Sequence, residues 1–135
     1  MYITYRTFWL TVIAATLAAG WTVIRSTEEE LVVLQAFDGK GQDVFATLWV
    51  VDDEAGFTWI RANRPDRRWL SVVERHPNIQ LRRQGRTLTY VANVFDTAEA
   101  RRYVNPRFRQ KYGLADRWRE WKDGPDTIPV RLQKP

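Results

Sequence analysis

Eleven consecutive residues, Trp59-Ile60-Arg61-Ala62-Asn63-Arg64-Pro65-Asp66-Arg67-Arg68-Trp69, hold the densest set of chemistry-bearing side chains in the sequence. Their pattern places Arg61 on a strand, Arg64 in a loop, and Arg67 and Arg68 in the first turn of a helix. Cations are disfavoured at that end of a helix, because the dipole and the free N–H groups attract negative charge. An anion held among the arginines removes the conflict. Phosphates bind at such ends, and the guanidinium fork matches a phosphate in two places. The competing reading is a solvated basic surface balanced by Asp52, Asp53 and Asp66.

Other candidates are weaker. Gly39-Lys40-Gly41 lacks the spacing of a phosphate-binding loop or a dinucleotide fingerprint and reads as a turn. His76, the only histidine, precedes Pro77 at a helix end, where capping is its ordinary role. Tyr90, Tyr103 and Tyr112 could donate to a bound ring, or serve as half-buried structural residues. The absence of cysteine excludes disulfides, thiolate nucleophiles and Cys-ligated zinc. With a single histidine as well, no catalytic triad and no metal site is assigned. A net charge of +5 and aromatics interleaved with arginine are features of nucleic-acid binders. Here, however, the arginines are mixed with acids, and nucleic acid is ranked last among the partners.

The elements that must position these residues follow from pattern and punctuation. Strands are expected over residues 31–37, 43–51, 57–63, 79–83, 87–95 and 127–132, with 43–51 and 57–63 forming a hairpin across the Asp52–Gly56 turn. Pro129 marks the last strand as an edge. A helix over Arg67–His76 is expected to be capped by Asp66 and ended by Pro77. A second, over Ala98–Val104, follows an Asp96 or Thr97 cap. A third starts at Asn105 and Pro106 and stops at Gly113, and a fourth, amphipathic one covers Ala115–Lys122. Hairpin-paired strands with inserted helices imply an α+β domain on a small closed or half-closed antiparallel barrel.

Ahead of this domain, Phe8–Ile24 carries no charged residue. As a helix it would be about 25 Å long, close to the hydrocarbon thickness of a bilayer, with Arg6, Arg25, Trp9 and Trp21 at its ends. The reading preferred is an uncleaved single-pass membrane anchor over residues 1–25, with a domain over 26–135. A signal peptide ending near Ala18-Ala19-Gly20 and a buried soluble helix are the alternatives. The basic residues lean slightly towards a cytoplasmic N-terminus.

The segments Ala46–Val51, Trp59-Ile60-Arg61, Trp69-Leu70 and His76-Pro77-Asn78-Ile79-Gln80-Leu81 resemble the split-barrel flavin-binding superfamily. That superfamily includes the pyridoxamine-phosphate-oxidase-like proteins and the deazaflavin-dependent nitroreductases. The resemblance spans roughly Leu31–Phe95 and implies a split β-barrel that binds FMN or a deazaflavin. It implies phosphate contacts from Arg61, Arg67 and Arg68, and a ring lying near Thr47, Leu48 and Trp49. It further implies a reductase, with a quinone-like substrate suggested by the anchor. The sequence departs from the family pattern in a shortened glycine-containing turn at residues 39–43 and in the bulk of Trp49. The alternative is therefore a non-catalytic accessory subunit that keeps the fold without the cofactor. A homodimer or a larger membrane complex is the expected assembly.

Overall fold

The computed structural model describes residues 29–135. The Phe8–Ile24 run, with the anchor, signal-peptide and soluble-helix readings attached to it, lies outside the described residues. Among the described residues no helix is long and apolar enough to cross a membrane.

Seven antiparallel strands form one sheet in the order β2-β1-β5-β6-β7-β4-β3. They are β1 (Leu31–Ala36), β2 (Val44–Trp49), β3 (Val51–Asp52), β4 (Thr58–Ala62), β5 (Asn78–Arg83), β6 (Arg86–Val94) and β7 (Ile128–Gln133). Period-two alternation turns Val32, Leu34 and Ala36 of β1 inward, with Ile79 and Leu81 of β5 beside them. Helix α1 (Arg68–Arg75) lays Trp69, Leu70, Val72 and Val73 into the same core. The sheet curls until β2 comes against β4, which makes a half-barrel. The α+β split-barrel expectation holds for the described residues.

The expected hairpin of residues 43–51 with 57–63 does not form as such. β2 pairs along its whole length with β1, from Leu31↔Trp49 to Ala36↔Val44, and only Val51 and Asp52 pair with β4. The continuous apolar run breaks at Val50 because a side chain, not a strand, satisfies its backbone. The Val50 N–H donates to the Tyr112 hydroxyl (3.0 Å), which donates in turn to the Glu30 carbonyl (2.8 Å). The Lys111 ammonium donates to the Val50 carbonyl (2.8 Å). A buried backbone group needs such a partner where two strands part. Trp49 stacks on the Tyr112 ring at 4.4 Å and 9°.

Tyr112 is the last residue of α2 (Ala98–Tyr112), a single helix where two were expected. Thr97 caps it, accepting from the Ala100 N–H (3.1 Å). Asn105 caps nothing. The helix continues through Pro106 because Val104, Phe108 and Tyr112 share one face, buried with Val51 and Trp59 in a second core. That burial outweighs the one hydrogen bond the proline removes. Asp66 is likewise not a cap: Arg67 is the N-cap residue of α1, and Asp66 pairs with Arg64 (3.2 Å).

Pro129 sits in a central strand, since β7 lies between β6 and β4. Phe95 N–H donates to the Pro129 carbonyl (2.9 Å), so the missing proline N–H faces the same side, opposite Phe95 and just past the end of β6 at Val94. Within an antiparallel pair a residue's N–H and C=O point the same way. The β4 side of the ladder therefore loses nothing, and the edge rule does not apply.

Arg83, at the end of β5, ties the seam together by bonding Asp52 (2.8 and 2.9 Å) and Glu30 (3.0 and 3.2 Å). The Arg83 hydrogen bonds hold the Asp52 carboxyl below its ordinary value. Burial favours protonation of Glu30, but Arg83 and Lys111 outweigh it and lower that carboxyl too. Carboxyls lowered by folding stabilise the protein above their ordinary range and lose that contribution as pH falls through it. Wild-type stability should accordingly drop below about pH 4, and the drop should be shallower in Arg83→Met when urea midpoints are compared across pH. Tyr112→Phe strands the buried Val50 N–H and should cost about 1–3 kcal/mol in urea unfolding at neutral pH.

Candidate functional site

β2 is an outer strand paired only with β1, so its far edge is free to face a groove. Opposite it stand β4 and α3 (Leu114–Asp123). Between them opens a cavity of about 390 Å³, lined by Thr47, Leu48 and Trp49 of β2, Arg61 of β4, and Trp118, Arg119 and Lys122 of α3. Asn63, which follows β4, Ala115 and Asp123 of α3, and Glu29 and Leu31 at the start of the described residues complete the rim.

Every residue of β4 is buried, Arg61 included at 3% exposure. Its guanidinium pairs with Asp116 and donates to Asn105 Oδ1 (3.0 Å), with its carbon 4.0 Å over the Phe108 ring. Asp116 also accepts from Arg119 Nε (3.0 Å). Two buried guanidiniums thus share one carboxylate, while the carboxylates of Glu29 and Asp123 stand on the cavity lining with Lys122. Burial pulls the Arg61 guanidinium down to about 10, and the like charge of Arg119 adds to this while Asp116 opposes it. Arg61 remains a cation at neutral pH. Its Nε is buried and finds no partner among the described residues.

The two partners of Arg61 were not legible in the sequence. Asn105 carried a cap signature, and Asp116 lay on the helix expected over Ala115–Lys122, which was read only as amphipathic. The structure assigns its faces: Asp116 and Arg119 are buried, and Leu114, Trp118 and Trp121 are 81%, 66% and 78% exposed. The one available signal was the Asp116–Arg119 spacing, which places acid and base on a single helix face.

Of the six predicted contacts, the structure brings Thr47, Leu48, Trp49 and Arg61 to one cavity. Arg67 and Arg68 are exposed at the start of α1 and do not line it. The Gly39–Gly41 turn is held by Asp38 Oδ1, which accepts from the Lys40 N–H (2.7 Å) and Gln42 N–H (3.0 Å). Gly39 itself is needed: its φ is +76°, and a Cβ there would meet the His76 imidazole at 3.2 Å. His76 closes α1 through its backbone N–H, which donates to the Val72 carbonyl (2.8 Å). Tyr90 lies in the core, and Tyr103 donates to Asp53 (3.0 Å), so these rings are structural.

No protein-family model and no curated protein sequence matches the chain. Solved structures do match its fold. An F420-H2-dependent reductase aligns over 77% of this chain and 94% of its own with a TM-score of 0.60 and 14% identity. A Listeria innocua protein described as a pyridoxamine 5′-phosphate oxidase aligns over 82% and 89%, at 0.57 and 10%. A protein solved as a domain-swapped dimer aligns over 90% and 98%, at 0.59 and 12%. The order of strands, the half-barrel and these neighbours agree: the chain has the split-barrel fold of the pyridoxamine-phosphate-oxidase-like proteins and F420-dependent reductases.

Proposed function

We propose that the cavity between β2, β4 and α3 binds a flavin or deazaflavin and that the protein is a reductase. The observation that carries this is the convergence of Thr47, Leu48, Trp49 and Arg61 on one cavity. The residues present suit such a group. The volume falls within the roughly 300–1,000 Å³ typical of ligand pockets. The free backbone edge of β2 offers donors and acceptors to a ring's polar rim. Because Arg61 is already matched by Asp116, a phosphate would draw mainly on Lys122 and Arg119, against the opposing carboxylates of Glu29 and Asp123 on the same lining.

When bound, the cofactor supplies hydride chemistry, and the protein contributes orientation, charge and exclusion of water. That division requires no cysteine, histidine or metal from the chain. With Phe8–Ile24 as an anchor, the domain works at a bilayer surface, and a lipid-soluble quinone is the substrate class that fits. A homodimer is the assembly in keeping with the dimeric neighbour. A second reading, an accessory subunit of a membrane complex without cofactor, draws on the Trp49–Tyr112 stack, which already gives that indole a partner ring.

Titration of the detergent-solubilised protein with FMN and with a deazaflavin, followed by absorbance and fluorescence, tests the proposal. Thr47→Trp should abolish binding by filling the cavity, and Lys122→Ala should weaken it by roughly tenfold, the scale of one charge-assisted contact. Arg67→Ala and Arg68→Ala should leave it unchanged. A colourless protein that takes up neither cofactor and co-purifies with membrane subunits would establish the second reading instead.

A further inference from the structure

Helix α3 has its polarity reversed with respect to the domain. Asp116 and Arg119 face the interior, and the outer stripe consists of Leu114, Arg117, Trp118, Trp121 and Lys122, all exposed. Those positions follow the i, i+3, i+4, i+7, i+8 repeat of one helical face. Trp118 and Trp121 lie with ring centroids 5.1 Å apart, and each indole remains mostly open. The stripe carries two cations and no acid. Exposed apolar clusters of this kind mark contact surfaces.

We propose that this face of α3 lies on an anionic lipid surface, as a second attachment beside the N-terminal run. The combination of interfacial tryptophans with an adjacent leucine and flanking Arg and Lys is that of a helix seated at the headgroup boundary. The position of the uncharged run supplies the independent argument. Glu29 and Leu31 line the same cavity as Trp118, and Ile24 is only five residues before Glu29. Five extended residues span at most about 18 Å, which is the length of chain available between the run and the cavity rim that Glu29 shares with Trp118. A second copy of the chain is a poorer occupant. A two-fold contact on this face would bring Arg117 and Lys122 against their own equivalents, with no acid on the stripe to match them. An anionic bilayer matches both the charge and the indoles. The proposal rests on the anchored reading above for the identity of the surface.

The test uses the full chain in phosphatidylcholine vesicles, with and without phosphatidylserine, containing lipids brominated near the headgroup as tryptophan quenchers. If Trp9, Trp21, Trp118 and Trp121 all reach the interface, Trp118→Phe with Trp121→Phe should roughly halve the quenched emission. Phosphatidylserine should increase quenching in the wild type, and Arg117→Glu should remove that gain. Equal quenched emission in wild type and double variant overturns the proposal. So does an association between copies that depends on Trp118 and Trp121 in place of quenching. Alkaline washing of the vesicles separates the two attachments. Protein that washes off, yet shows quenching dependent on Trp118 and Trp121, would sink the anchor and leave the α3 face standing. Protein that never floats with vesicles would overturn both.

Discussion

The carboxylate of Asp116 sets the arrangement of everything around it. It is almost wholly buried, and two guanidiniums, from Arg61 on β4 and Arg119 on its own helix, converge on it. An isolated buried charge is costly, so none of the three can leave without stranding the others. This fixes the rotation of α3 about its axis. With positions 116 and 119 pointing in, the helical repeat forces 114, 118 and 121 out. Trp118 then reaches the cavity rim and Trp121 reaches solvent, a placement that hydrophobicity alone would oppose. A cluster of this sort adds little net stability compared with an apolar one. What it contributes is one orientation of the helix.

A second constraint acts at the other side of the cavity. The hydroxyl of Tyr112 stands in for a missing strand partner at Val50 and links the break in the sheet to the end of α2. β2 is thereby freed from the hairpin with β4, and its outer edge is left beside the groove. The same ring holds Trp49 by stacking, so the indole next to the cavity has a fixed position. Cavity shape therefore depends on both helices: α3 through the arginine–aspartate cluster, and α2 through one phenol.

Much of this fold was legible. The β-branched and aromatic runs, the apolar face of α1, and the order of strands and helices all announced an α+β half-barrel. The failures share a physical cause. Asn105-Pro106 has the local signature of a helix start, but the Asn105 side chain serves Arg61 and Thr127, and the apolar stripe at 104, 108 and 112 carries the helix through. Val50 looks like the middle of a strand because its partner is a side chain 62 residues away. The resemblance implied a site for Arg61, and yet the acid that neutralises it lies 55 residues further along the chain. In each case a contact distant in sequence overrode a local preference. The exposed positions of Arg67 and Arg68 follow similarly, because the groove opens towards α3 and not towards the start of α1.

The position of β7 has a consequence for how the molecule comes into being. The last described strand, Ile128–Gln133, is inserted between β6 and β4 and, among the described residues, is the only link in the sheet between β2-β1-β5-β6 and the β3–β4 pair. During synthesis β4, with its buried arginine, has no sheet neighbour but the two-residue β3 until those final residues appear. Closure of the half-barrel therefore waits on the strand that is made last among those described, and the buried arginine of β4 waits with it.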